Sequence, residues 1–365
     1  ITVNCNFGQR PFAYTAPSGF KALCTQNLPT PTIGATTATQ AGKYFNTVLY
    51  SGNGTTQSIT GVGFQPDWTW IKSRNNGSTN NSLYDAVRGA GKVLFTNGTE
   101  PEYTVNDLTS FNADGFSVST VSGTRVETNA SGYTYVGWNW KANGSGSSNT
   151  AGQITSTVSA NTASGFSVVT FTTDGTTKTV GHGLGVKPSL VIVKVRNGAG
   201  SWIVMTDIIN GSMQYGALNS TAAFASIGYS APTSTVFQYN DNNGNTQVAY
   251  CFAEVAGYSK FGSYTGNGSA DGAFVFTGFR PAYLMVKRTD ASFGWWIFDA
   301  TRNPSNVVTF YLAADSSGAE NNFGVVDFTS NGFKFRDSSQ GWNASGGSYI
   351  FMAFASVPQK FSLAR

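Results

Sequence analysis

The chain repeats itself, and that self-similarity constrains its fold more than any single motif. One copy of the unit, "YFNTVLYSGNGTTQSITGVGFQPDWTWIK", runs from Tyr44 to Lys72. A second version, "GFSVVTFTTDGTTKTVGHGLGVKPSLVIVK", runs from Gly165 to Lys194, and a third, "KFGSYTGNGSADGAFVFTGFRPAYLMVK", from Lys260 to Lys287. In each, a glycine turn (Gly54, Gly175, Gly268) precedes a proline (Pro66, Pro188, Pro281) by 12 or 13 residues. A lysine (Lys72, Lys194, Lys287) follows the proline by six residues, and an aspartate (Asp85, Asp207, Asp299) follows the lysine by 12 or 13. Copies one and three also share "SFNADGFSV" with "DFTSNGFKF" and "NASGYTYVGWNW" with "NASGGSYIFMAFA".

The residues inside each unit read as strands. Runs of β-branched and aromatic residues alternate with Gly-Asn-Gly and Asp-Gly turns, as in hairpins. "FQPDWTWIK" and its counterparts start a strand at the proline, where the missing N–H is tolerated. On it Trp68, Trp70 and Lys72 face one way, Thr69 and Ile71 the other. No stretch carries a sustained 3.6-residue apolar period with caps, so helix is expected to be scarce. The expected fold is all-β: three tandem jelly-roll-like β-sandwich repeats. Boundaries fall at an opening segment 1–29, a linker 30–43, repeat one 44–142, a linker 143–163, repeat two 164–258 and repeat three 259–365. "KANGSGSSNTAGQ" (Lys141–Gln153) has the composition of a flexible connection, whereas copies two and three abut and read as a rigid pair.

Composition excludes several functions. Only 11% of the residues are charged, against ~25% in an ordinary domain. The 27 Phe, 16 Tyr and 8 Trp argue against disorder. A net charge of +4, scattered along the chain, gives no basic stripe for nucleic acid. No run is apolar enough for a membrane-spanning helix, so membrane insertion is not expected. Three cysteines without metal-type spacing suggest no zinc site. Cys251 reads as a buried apolar residue, and whether Cys5 and Cys24 pair is open. "NDNNGN" (240–245) lacks the acidic first position and closing Glu of a calcium loop. No metal and no cofactor are expected.

No enzymatic constellation emerges either. The single histidine, His182, sits in a loop without a Ser or Asp partner pattern. The recurring aspartates raise the question of a glycosidase carboxylate pair, but a fold-specific Lys–Asp contact, made in every copy, is the simpler reading. Lys72, Asp85, Lys194, Asp207, Lys287 and Asp299 are therefore structural positions. Differences between copies carry more about function. Trp295 and Trp296 stand where copy one has Asn81 and Ser82, and Trp342 where it has Thr128. These three are candidates for stacking on a sugar or for burial between subunits.

The opening "NCNFGQRPFAYTAPSGFKALCTQNLP" (Asn4–Pro29) resembles the C-terminal end of SPRY-type domains of bacteriophage proteins. The units from Tyr44 to about Phe361, with their "GNG…GFxP…K" and "NASG" elements, resemble repeated β domains of large phage and cyanophage structural proteins of tail-fibre or adhesin type. The resemblance implies an extracellular virion component, a homotrimer, that works with other virion proteins at a host surface glycan or protein. It supplies no binding residues. The competing reading is a non-receptor part such as a head fibre, decoration or adaptor protein; a carbohydrate-degrading spike is a weaker third. It also implies a polypeptide extending upstream of Ile1.

Overall fold

The computed structural model describes Ile33 and residues 39–119, 127–241 and 244–355. The opening segment, with Cys5 and Cys24, lies outside the described residues. Within them the protein is all-β, with a short 3-10 turn at Ala41–Lys43 as the helical element.

Each repeat builds the same antiparallel main sheet. Its first strand (Phe45–Ser51, Phe166–Thr172 or Ser259–Thr265) pairs with its last (Thr134–Trp140, Thr246–Phe252 or Ser348–Ala355). The last strand pairs with the strand that ends near the recurring lysine (Trp68–Ser73, Leu190–Val195 or Pro281–Arg288). Next comes the strand leading to the recurring aspartate (Ser82–Asp85, Ile203–Thr206 or Trp295–Asp299). The expected two-layer arrangement is present. A smaller sheet covers the outer face of each main sheet: Gln57–Ile59 with Gly115–Val118, Lys178–Gly181 with Val236–Tyr239, and Phe274–Phe276 with Gly332–Phe335. In the third unit the long strand Asn321–Thr329 passes from one layer into the other, joining both into one eight-stranded, barrel-like sheet.

Two of the sequence motifs prove to be partners. The "GNG" turn and the "NASG" segment meet, with Gly54 N donating to Asn129 O and Gly268 N to Asn343 O, both at 2.9 Å. The turn glycines Gly54, Gly175 and Gly268 have φ of 73°, 82° and 66°, a region that side chains rarely occupy. Buried Asn129 and Asn343 accept the N–H of Asn53 and Asn267 at 3.1 Å through their Oδ1 atoms.

The alternation on the lysine strand has a consequence beyond a single sandwich. Ile71 packs outward with Tyr84, Val93, Phe116 and Tyr135 in the first unit's own two-layer core. Trp68 and Trp70 face inward, into a cluster shared by all three units. There Trp68 stacks on Tyr250 of the second unit at 5.0 Å, Phe45 on Phe354 of the third at 5.2 Å, and Trp140 meets Tyr283 edge-on at 5.5 Å. The repeats are thus not beads on a string. Their main sheets face a common aromatic core, because both faces of each main sheet are apolar and both must be buried.

The segment 143–163, expected as a linker, instead adds structure. Ser147–Asn149 and Ser156–Asn161 form two strands that extend the second unit's main sheet beyond its first strand. The chain leading into them is held rather than free. Ala142 N and Gly144 N donate to Asp67 at 2.7 and 3.1 Å, and Asn143 N donates to Ser159 Oγ at 2.8 Å. Its glycines serve close approach: at Gly146 (φ 81°) a Cβ would fall 2.9 Å from the Val158 backbone.

Candidate functional site

The recurring lysines and aspartates do not touch each other. The register pairs Trp68 with Asp85 and Tyr283 with Asp299. This puts Lys72 and Lys287 four residues from their aspartate's partner, about 13 Å along the strand at ~3.3 Å per residue, and in the second unit Asp207 lies one residue past the strand Ile203–Thr206. The expected Lys–Asp contact is therefore replaced by two separate devices, both of which act between units.

The lysines act as clasps. Lys72 Nζ donates to Thr79 O of its own unit at 2.8 Å and to Ser317 O of the third unit at 2.5 Å. Lys194 Nζ donates to Gly200 O at 2.9 Å and to Thr99 O of the first unit at 3.1 Å. Lys287 Nζ donates to Phe293 O, and to Thr221 O of the second unit at 2.7 Å. Each lysine thus reaches the unit before it, and the first reaches the third, so the contacts close a ring. Burial pushes all three ammonium groups down to about 8.

A second donor follows the same cycle. Trp202 Nε1 donates to Phe95 O of the first unit at 2.7 Å, and Trp295 Nε1 to Ala217 O of the second at 2.9 Å. In the first unit Asn81 takes this place, with its Nδ2 donating to Ala313 O and Ala314 O of the third at 2.9 and 3.0 Å. Backbone bonds complete each seam: Glu102 N to Arg196 O, Phe224 N to Thr289 O, and Glu320 N to Arg74 O.

The aspartates work through arginines that the sequence reading passed over. Asp85 is paired with Arg88, Arg88 with Glu102, and Glu102 with Arg196 of the next unit. Asp299, Arg302, Glu320 and Arg74 repeat the chain between the third unit and the first. Burial alone would lower the Arg88 guanidinium, but Asp85 and Glu102 hold it well above its ordinary range. Burial likewise raises Glu102, and Arg196 and Arg88 overcome that to hold it below the usual carboxylate range. Each aspartate also accepts a bond across the core, Asp85 from Tyr250 Oη at 2.7 Å and Asp299 from Trp138 Nε1 at 3.1 Å. The second unit departs from the pattern. Asp207 is followed three residues later by Asn210 rather than Arg, Met352 stands where Trp138 and Tyr250 stand, and Asp207 pairs with half-exposed Lys187. "DAVR" and "DATR", and the arginine two residues after Lys72 and Lys194, were the signals that would have exposed this network.

The tryptophans singled out as an interaction surface lie mostly inside. Trp295 is 1% exposed and fills the seam between the second and third units, against Phe224. It is an interface residue, but between repeats of one chain. Trp342, 3% exposed, donates from Nε1 to Asp337 at 2.6 Å, and Trp296 packs edge-on against it and Tyr311. Burial leaves Trp295 and Trp342 no open ring face on which a sugar would stack. His182 is buried as well, its Nδ1 accepting from Leu184 N and its Nε2 meeting Thr233 O, both at 3.3 Å. No group of acidic, histidine or cysteine side chains suited to a metal occurs among the described residues.

A ligand-sized recess lies where the added hairpin extends the second unit. This open cleft of about 300 Å³ is lined by Ser148, Thr157, Thr170, Thr172, Thr246 and Arg196, among others. Ser148, Thr157 and Thr170 are successive cross-strand partners, and Thr172 faces Thr246. The row continues the inward face that carries Phe166 and Val168 deeper in the core.

No curated protein and no solved structure matches the chain. One family model, described as a domain of unknown function (DUF7483), matches residues 40–358 and so spans all three units; the chain belongs to that family.

Proposed function

We propose that the protein is a structural component of a bacteriophage virion, of tail-fibre or spike type, that attaches the particle to a glycan on the host cell surface. The sequence resemblance to phage adhesin-like repeats motivates the reading. The observation that carries it is how the side chains are used. The recurring lysines, and the acids and arginines of two seams, are spent holding repeat to repeat, and the accessible cleft presents hydroxyls rather than a reactive group. Such a molecule is suited to recognition, not to turnover. Its threefold arrangement comes from one chain, and further copies and other virion proteins join it in the particle.

The experiment is competition. Purified protein should adsorb to host cells and block attachment of particles that carry it; failure of both would refute the reading. A non-receptor role, as a decoration or adaptor, is favoured by one feature. Phe274 and Phe276, 48% and 60% exposed, stand on the same side of an edge strand of the third unit, as a docking surface for another virion protein would. Localisation of the chain in the intact particle, at the tail or on the capsid, separates the two.

A further inference from the structure

We propose that the cleft of the second unit is a binding site for a neutral sugar; this deepens the glycan reading above and rests on it. The scaffold is triplicated, but the cleft is not. In the first and third units the first strand, Phe45–Ser51 or Ser259–Thr265, is the edge of the main sheet. Among the described residues, it is the second unit whose sheet continues, through Ser156–Asn161 and Ser147–Asn149, and residues of these two strands form one wall of the cleft. The ring does not need the hairpin, since all three seams are closed by other residues. An element that the described residues of the two sister units do not repeat, and that creates a recess, is where a specific function would be added.

The lining chemistry selects the ligand. The hydroxyls of Ser148, Thr157, Thr170 and Thr172 have no hydrogen-bond partner within the chain among the described residues. Each offers one donor and two acceptor positions, matching the mixed donor and acceptor edge of a sugar. Strand geometry sets Ser148, Thr157 and Thr170 in a row at the ~4.8 Å inter-strand spacing, comparable with the separation of hydroxyls across a pyranose ring. Arg196 adds a charge-assisted donor at the rim. Its Nε and Nη2 are both engaged by Glu102 at 3.0 Å, so Nη1 is left for a ligand. The Arg196–Glu102 pair is neutral as a whole, which favours an uncharged sugar over an acidic one. At about 300 Å³ the cleft is at the small end of the ligand-pocket range of ~300–1,000 Å³, enough for a short saccharide.

The loop of the hairpin is pinned, so the cleft is formed before any ligand arrives. Ile154 N donates to Thr179 O at 3.0 Å, Gln153 N to Thr179 Oγ1 at 3.0 Å, and Thr179 N to Gln153 Oε1 at 3.1 Å. A preformed recess binds without the entropic cost of ordering a loop.

The test is a printed array of neutral oligosaccharides, followed by calorimetric titration of the tightest binder. Wild type is compared with the double variant Thr157→Val, Thr170→Val, in which Val keeps the branched shape and strand preference. Ser148→Ala is a second variant at an exposed position. Ser58→Ala with Ser117→Ala, removing a hydroxyl pair on the first unit, is the control. Loss of one neutral hydrogen bond weakens binding about 5-fold, so the double variant should lose ~25-fold and Ser148→Ala ~5-fold, with the control unchanged. A wild type that binds glycan, with cleft variants of unchanged melting temperature binding within 2-fold of it, would overturn this site while leaving the glycan reading intact. A wild type that binds no glycan would overturn both.

Discussion

Asp85, Asp207 and Asp299 recur at nearly the same spacing in three copies of one unit, yet the register gives the place of Asp85 and Asp299 to Thr206 in the second, and replacing each aspartate by Asn should have different consequences. Asp299 is fully buried and surrounded by donors. It accepts from Arg302 N at 2.8 Å, Arg302 Nε at 2.5 Å, Thr301 N at 3.1 Å and Trp138 Nε1 of the first unit at 3.1 Å. Asn keeps the shape but removes the charge and turns one acceptor into an NH₂ that faces other donors. The Arg302 guanidinium, itself without exposed side-chain surface, is left with Glu320 as its one acidic partner. Breaking a buried pair from one side costs about 3–5 kcal/mol. Asp85→Asn should behave alike, since Arg88 and Tyr250 depend on it. Asp207 pairs with Lys187, whose side chain is 47% exposed. Solvent screens that pair, and Asp207→Asn should cost less than about 1 kcal/mol. Guanidinium unfolding followed by tryptophan fluorescence, with the three variants compared at equal ionic strength, measures the differences. Losses equal to within about 1 kcal/mol at all three positions would refute the account of the seams.

The shared aromatic core predicts a single cooperative unfolding transition for residues 40–358, not three; separate calorimetric transitions for the repeats would contradict it. Trp295→Phe should remove the bond to Ala217 O and cost about 1–2 kcal/mol while leaving host-cell adsorption unchanged, so weakened adsorption at unchanged stability would restore this residue as a contact for ligand. Stability should also rise from about pH 7.5 to 9. Lys72, Lys194 and Lys287 titrate near 8 when folded but near ~10.4 when unfolded. The unfolded chain therefore holds more protons in that window, and the folded state gains as they leave. Above it, the buried tyrosines and Cys251, whose pKa values burial raises, reverse the trend. A chemical-denaturation series across pH 7–10 checks the sign, and a monotonic fall from pH 7.5 would be inconsistent with lysines buried in the seams.

How much of this was legible beforehand depended on how local the determinant was. The three-fold repeat, the hairpin turns at Gly54, Gly175 and Gly268, and the all-β class follow from spacing and alternation, which act over a few residues. Even the opposed faces of Trp68–Trp70–Lys72 and Ile71 were readable, because the pleat of a strand dictates them. The partner of each face was not. A period of two says that a side chain points away from its neighbour, but not whether it meets a second sheet of its own unit or another repeat far along the chain. Hence spacing ties Lys72 to Asp85, thirteen residues away, whereas in the fold it binds Ser317 O, 245 residues away. Trp295 is open in sequence to sugar stacking or to burial between subunits for the same reason, since burial in a ring seam leaves the same mark there as an exposed recognition aromatic. The hairpin at Ser147–Asn161 was hidden differently. Its Gly, Ser and Asn content suits a free tether and a tight turn equally well, and only the tertiary anchors at Asp67 and Thr179 decide between them. Spacing and turn chemistry set the unit, its turns and its alternation. Ring closure, the seams and the cleft were decided by tertiary structure, because the burial of a second apolar face can be completed only by residues distant in the chain.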